Sequence, residues 1–143
     1  MNIGLIGIGA VMALAAAGSA LGAGSAGMSA IGAWKKCFLQ NKPAPFLLIA
    51  FVGAPLTQTI YGFILMNAFR GAMSSMDPWV ICGAGLFGGF AMGMSAWFQG
   101  KAGASASDAF AETGKGFGNY ILVLGIIETV ALFVMVFLLG IIG

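Results

Sequence analysis

The chain has 143 residues, 60% of them hydrophobic and only 7% charged, with a formal net charge of +2 and no histidine. A mean hydropathy of +1.03 excludes an ordinary soluble domain, and so little basic charge excludes nucleic-acid binding through phosphate neutralisation. The two cysteines, Cys37 and Cys82, are far apart with no CxxC spacing, which excludes a zinc-type site and a disulfide framework.

A helix needs about 20 apolar residues to cross the hydrocarbon core. Segments 1–34, 43–69, 78–99 and 116–143 reach that length, which predicts an all-α membrane protein of four transmembrane helices. In the first, Ala15-Ala16-Ala17-Gly18-Ser19-Ala20 resembles a signal-cleavage region. No Lys or Arg precedes Lys35, however, and the apolar stretch continues past the run, so it reads as a membrane helix. The interruption at 35–42 carries Lys35, Lys36 and Lys42, and Lys42-Pro43-Ala44-Pro45 opens the second span. Within that span Pro55 cannot donate to the carbonyl of Phe51, which frees or reorients backbone oxygens nearby.

The middle loop holds Arg70 and Asp77, and Asp77-Pro78 reads as an N-cap with proline in the first turn of the third helix. That helix ends in a polar, Ala-rich stretch, 101–107, which projects it beyond the bilayer. The last interruption, 101–115, carries Lys101, Asp108, Glu112 and Lys115. Five of the six basic residues thus flank loops 35–42 and 101–115. The positive-inside rule places those loops in the cytoplasm, with both termini and the middle loop outside the cell (plasma) membrane.

Gly22-Ala23-Gly24-Ser25-Ala26-Gly27 reappears as Gly83-Ala84-Gly85-Leu86-Phe87-Gly88, and the stretch from Gly53 to Tyr61 aligns with that from Gly125 to Phe133. The chain reads as two fused helical hairpins, 1–72 and 73–143, with Leu56 in the place of Glu128. Both glycine runs match G-x-G-x-x-G, but each lies inside an apolar span, without the strand and acidic residue of a dinucleotide site. Close helix packing explains them better, and no organic cofactor is expected.

Glu128 is the only charged residue from Gly116 to Gly143, midway along an apolar run. A carboxylate at the centre of a membrane helix costs about 2.5–3.5 kcal/mol on insertion scales, so its default reading is an ion or proton site. Thr57, Gln58 and Tyr61 form one polar stripe on the second helix, with Ala54 on the same side. Gln99 is a lone amide in the third span, near its cytoplasmic end. Thr57, Gln58, Gln99 and Glu128 together supply the several oxygens and the negative charge that a small hard cation needs. The Tyr61 phenol can donate to Glu128 and fix its rotamer.

On Pro55-Leu56-Thr57-Gln58-Thr59-Ile60-Tyr61-Gly62, Gln99-Gly100 and the segment around Glu128-Thr129, the whole chain resembles the proteolipid ring subunits of rotary V/A-type ATPases. The likeness is to the K subunit of bacterial sodium-translocating forms in particular. The resemblance implies a ring of identical copies in the bilayer, turning against a stator subunit that carries a basic residue. It also implies a non-catalytic role, with ATP hydrolysis in other subunits and the loop 35–42 against a central stalk. Glycine-rich inner helices would line the ring. Na+ would bind Glu128, Gln99, Gln58, Thr57 and the Ala54 backbone carbonyl, with Tyr61 holding the carboxylate. Ala54 departs from the larger residue of the sodium forms, which a backbone ligand tolerates. Two alternatives stand beside this. One is a ring that carries H+. The other is a small multidrug-type antiporter, although that class places its glutamate in the first helix.

Overall fold

The computed structural model describes residues 2–142, and all regular structure among them is helical. Five helices follow in order: α1 (Gly4–Leu39), α2 (Leu48–Gly53), α3 (Thr57–Ala72), α4 (Pro78–Thr113) and α5 (Phe117–Ile142), with a 3₁₀ turn at Ala54–Leu56 joining α2 to α3. With α2 and α3 counted as one rod, four helices are long and apolar enough to cross a membrane. The chain is a multi-pass membrane protein.

Charge marks the edge of the hydrocarbon, but it does not end the helices. Lys35 and Lys36 lie inside α1, and α4 runs through the polar stretch 101–107, as expected, and on to Thr113. The expected loops 35–42 and 101–115 therefore shrink to 40–47 and to a tight link at 114–116. Ala, Ser, Lys and Glu are tolerated in a solvated helix, so leaving the bilayer is no reason to unwind. The second span starts later than expected, at Leu48, because Pro43 and Pro45 hold the preceding chain out of a helix. Trp34 Nε1 donates to the Pro45 carbonyl at 2.8 Å and ties this loop to α1. At the start of α4, Asp77 accepts from the Trp79 N–H at 2.8 Å, with Pro78 in the first turn as expected. At its end Gly114 has φ +66° and Gly116 φ +85°, left-handed conformations that let the chain reverse within three residues.

α1 and α4 have 36 residues each and run parallel. At about 1.5 Å per residue each is about 54 Å long, well beyond a hydrocarbon core of about 30 Å. Their backbones touch through small residues. A Cβ on Gly18 would collide with the Gly93 backbone, and one on Gly100 with the Gly22 backbone. Gly22 therefore packs against Ala96 and Gly100. Its expected repeat partner, Gly83, lies in the second turn of α4, whereas Gly22 is midway along α1. The glycine-run alignment is corrected on this point, because any small residue serves a close helix contact and such runs fix no register.

Beyond the bilayer the pair is bridged by Lys36 Nζ and Glu112 Oε1 at 3.1 Å, both exposed. α3 leans on α1 where Gly62 meets Ala15 and Val11. α5 closes the bundle and buries only Leu124 and Ala131.

Two apolar clusters result. Val11, Ala15, Leu65, Phe69, Ile81 and Met92 belong to one, and Ala30, Leu48, Phe51, Phe110 and Leu124 to the other. Between them in α1, α3 and α4 lies a layer of buried polar residues: Ser19, Gln58, Ser95 and Gln99.

Candidate ion-binding site

Pro55 shapes the first wall of the site. Lacking an N–H, it interrupts the α-helical ladder, and the chain tightens into the 3₁₀ turn Ala54–Leu56 before α3 resumes. The freed Phe51 carbonyl points at Gly103 of α4, where a Cβ would stand 2.8 Å from that oxygen. The Ala54 carbonyl accepts from the Thr57 N–H and lies 3.1 Å from Thr57 Oγ1. Thr57 Oγ1 is also 3.1 Å from Gln58 Oε1. One hydroxyl hydrogen therefore serves two carbonyl-type oxygens, and three oxygens crowd together with a single side-chain donor among them.

The second wall comes from α4 and α5. Gln99 is fully buried, and its Nε2 donates both to the Leu124 carbonyl and to Glu128 Oε2, each at 3.0 Å. Two acceptors on one nitrogen fix which way this amide faces. Gln99 Oε1 in turn accepts from Gln58 Nε2 at 2.9 Å. Tyr61 Oη donates to Glu128 Oε1 at 2.8 Å, the contact expected from the sequence. Each oxygen of the half-buried carboxyl thus accepts one hydrogen bond, from α3 on one side and α4 on the other. Bonds to charged groups are worth about 1.5–3 kcal/mol, enough in sum to offset much of the cost of placing Glu128 at this depth.

The structure therefore brings Ala54, Thr57, Gln58, Tyr61, Gln99 and Glu128 into one network. Gln99 lies past the midpoint of α4, which continues to Thr113. Leu56 is exposed and outside the network. Ser95, which the sequence reading passed over, donates to the Ile127 carbonyl at 2.8 Å and sits 3.5 Å from Gln58 Nε2. Its signal was available, since Ser95 is one turn before Gln99 on the same face of α4.

A carboxyl among neutral oxygens is chemically able to coordinate a hard cation or to exchange a proton. Among the described residues no group of three or more His, Cys, Asp or Glu could hold a transition metal. The oxygens are neutral, save one carboxylate, and come from three helices.

Comparison with known proteins bears on what such a site serves. Residues 82–141, which include Ser95, Gln99 and Glu128, match the family model for the C-type subunit of ATP synthase. Over 132 residues the chain is 33% identical to the A-type ATP synthase subunit K of Methanocaldococcus jannaschii. That alignment takes in 92% of this chain but 57% of the relative, so the chain spans little more than half of that protein's length. In its second half, which carries the one carboxylate of the last span, and in its alignment along most of its length, the chain is similar to the proteolipid c/K-type subunits of rotary ATPases.

Proposed function

We propose that this chain is a rotor-ring subunit of a V/A-type rotary ATPase that carries Na+ across the membrane by binding and release at Glu128. The observation that carries the choice of ion is the crowding of Ala54 O, Thr57 Oγ1 and Gln58 Oε1 at 3.1 Å spacings around one hydroxyl hydrogen. A proton carrier has no use for such a cluster, whereas a hard cation with no shell of water requires one. Glu128 supplies the charge and Gln99 a further amide oxygen. Tyr61 orients the carboxyl without giving up an oxygen.

The ring reading is supported by the surface that α5 leaves uncovered. Leu122, Ile126, Val130, Phe133 and Phe137 face outward, and a groove between α4 and α5 is lined by Ala102, Ser105, Ala106, Ala109, Tyr120, Val123 and Leu124. Identical copies and lipid cover these faces. The chain performs no catalysis of its own. A basic residue on a stator subunit displaces the cation when a site arrives. On leaving, the bare carboxylate reloads, because an unpaired charge against lipid is costly. Lys35, Lys36, Lys42, Lys101 and Lys115 favour the 40–47 and 114–116 links on the cytoplasmic side of the plasma membrane, with both termini outside and the central stalk against the cytoplasmic loop.

The test is labelling of Glu128 in the purified ring by a hydrophobic carbodiimide. Millimolar Na+ at neutral pH is expected to slow the reaction strongly, and labelling indifferent to Na+ removes the sodium assignment. A proton-carrying ring is the second reading. It rests on the direct Gln99 and Tyr61 contacts, which hold the carboxyl through two hydrogen bonds alone. It predicts labelling that follows pH and ignores sodium.

A further inference from the structure

Ser19 is the one buried polar side chain among the described residues whose oxygen has no hydrogen-bond partner. Only 2% of its surface is exposed. Serines inside helices commonly donate to the carbonyl one turn back, and Ser25, Ser105 and Ser107 all do so here. Ser19 does not. An unsatisfied buried hydroxyl costs about 1–3 kcal/mol, and the same face of α1 is otherwise built from Ala15, Gly22, Ala26 and Ala30. Alanine would fill the position without that cost.

The register of α1 against α3 says what the hydroxyl faces. Ala15 Cβ lies where Gly62 would carry a Cβ, at 2.9 Å, and Pro55 Cβ lies 2.9 Å from where Gly22 would carry one. The helices are antiparallel, so Ser19, four residues after Ala15 and three before Gly22, stands across from Gln58, four before Gly62 and three after Pro55. Both residues are buried in the same polar layer.

Gln58 needs such a neighbour once a cation is bound. In the hydrogen-bonded network, Gln99 presents its amide nitrogen to Glu128 and its oxygen to Gln58 Nε2. A cation at the carboxylate repels that nitrogen, so Gln99 must turn its amide and offer Oε1 instead. The turn takes away the 2.9 Å acceptor of Gln58 Nε2 while Gln58 Oε1 stays beside Thr57. Ser95 Oγ, which donates to Ile127 and can still accept, is a long substitute at 3.5 Å.

We propose that Ser19 is a positioning residue of the ion site, whose hydroxyl accepts from Gln58 Nε2 when Gln99 turns its oxygen to the cation. This rests on the sodium reading above and extends the site to α1. The strain of the idle hydroxyl is then relieved on loading, which favours the loaded site.

The test compares purified wild-type, Ser19→Ala and Ser19→Cys rings by carbodiimide labelling of Glu128 across a NaCl titration. Ser19→Ala is expected to raise the half-protective Na+ concentration about ten-fold, the effect of one lost hydrogen bond in a buried site. Its labelling rate without sodium should match wild type, and Ser19→Cys should fall between the two. A Ser19→Ala ring with the wild-type sodium titration overturns the proposal. So does one whose sodium-free rate changes as much as its protection, because the serine would then be structural. Wild-type labelling indifferent to Na+ overturns the sodium reading itself, and the role of Ser19 with it.

Discussion

The α1–α4 contact and the α3–α5 contact divide the work of the bundle between shape and chemistry. Along α1 and α4 glycines bring backbones together, and a methyl group at Gly18 or Gly100 has nowhere to go. Between α3 and α5 the bundle is held largely by side chains, above all the Tyr61–Glu128 hydrogen bond, and most of α5 lies open. Glycine contacts have no spare rotamers and so make a rigid frame. Hydrogen-bonded side chains can turn in place, which ion exchange demands. The lesson is that a fixed scaffold and an adjustable site are built on opposite sides of the same two polar glutamines.

Substitutions should break the two sides in different ways. The largest effect is expected from Gly100→Leu, which drives a side chain into the Gly22 backbone. Little or no ring should be recovered on size-exclusion chromatography, and normal recovery would refute the close-contact account. Next comes Glu128→Gln, which should assemble as wild type yet lose sodium-coupled ATPase activity entirely in the reconstituted complex. Retained coupling would mean the carboxylate is not the carrier.

Gln99→Ala removes the amide oxygen that would face the cation, and should weaken sodium protection of Glu128 by about 10- to 100-fold with the ring intact. Tyr61→Phe removes one donor from a half-buried carboxyl, and a loss of about three- to ten-fold is expected in the same titration. Smallest of all, Lys36→Ala breaks only the exposed pair with Glu112. It should leave ring melting unchanged, since such pairs contribute little in water.

Much of this was legible in the sequence, and for identifiable reasons. Hydrocarbon imposes a length and forbids charge, so four apolar runs located the spans and Glu128 stood out within the last. Thr57, Gln58, Tyr61 and Gln99 were visible because polar residues on an apolar helix are few. Ser19 was not, because serine also belongs to the small-residue vocabulary of helix contacts, and Ser95 was legible only through its place one turn before Gln99. The extent of α1 was misjudged at Lys35 and that of α4 beyond Ser107, since charge ends a membrane environment and not a helix. Nor can a sequence say which way a glutamine amide faces. Gln99 turns its nitrogen to Glu128 because Leu124 offers a second acceptor beside it, a matter of geometry alone.

The unbroken length of α4 has a mechanical consequence. One continuous rod bears Gln99 at the depth of the ion site and Glu112 out in the water. A twist applied at the aqueous end meets no hinge, no loop and no proline before it arrives at the amide beside the carboxylate. With α1 packed alongside through its glycines, the pair forms one stiffened element that links the Lys36–Glu112 end to the level of Gln99.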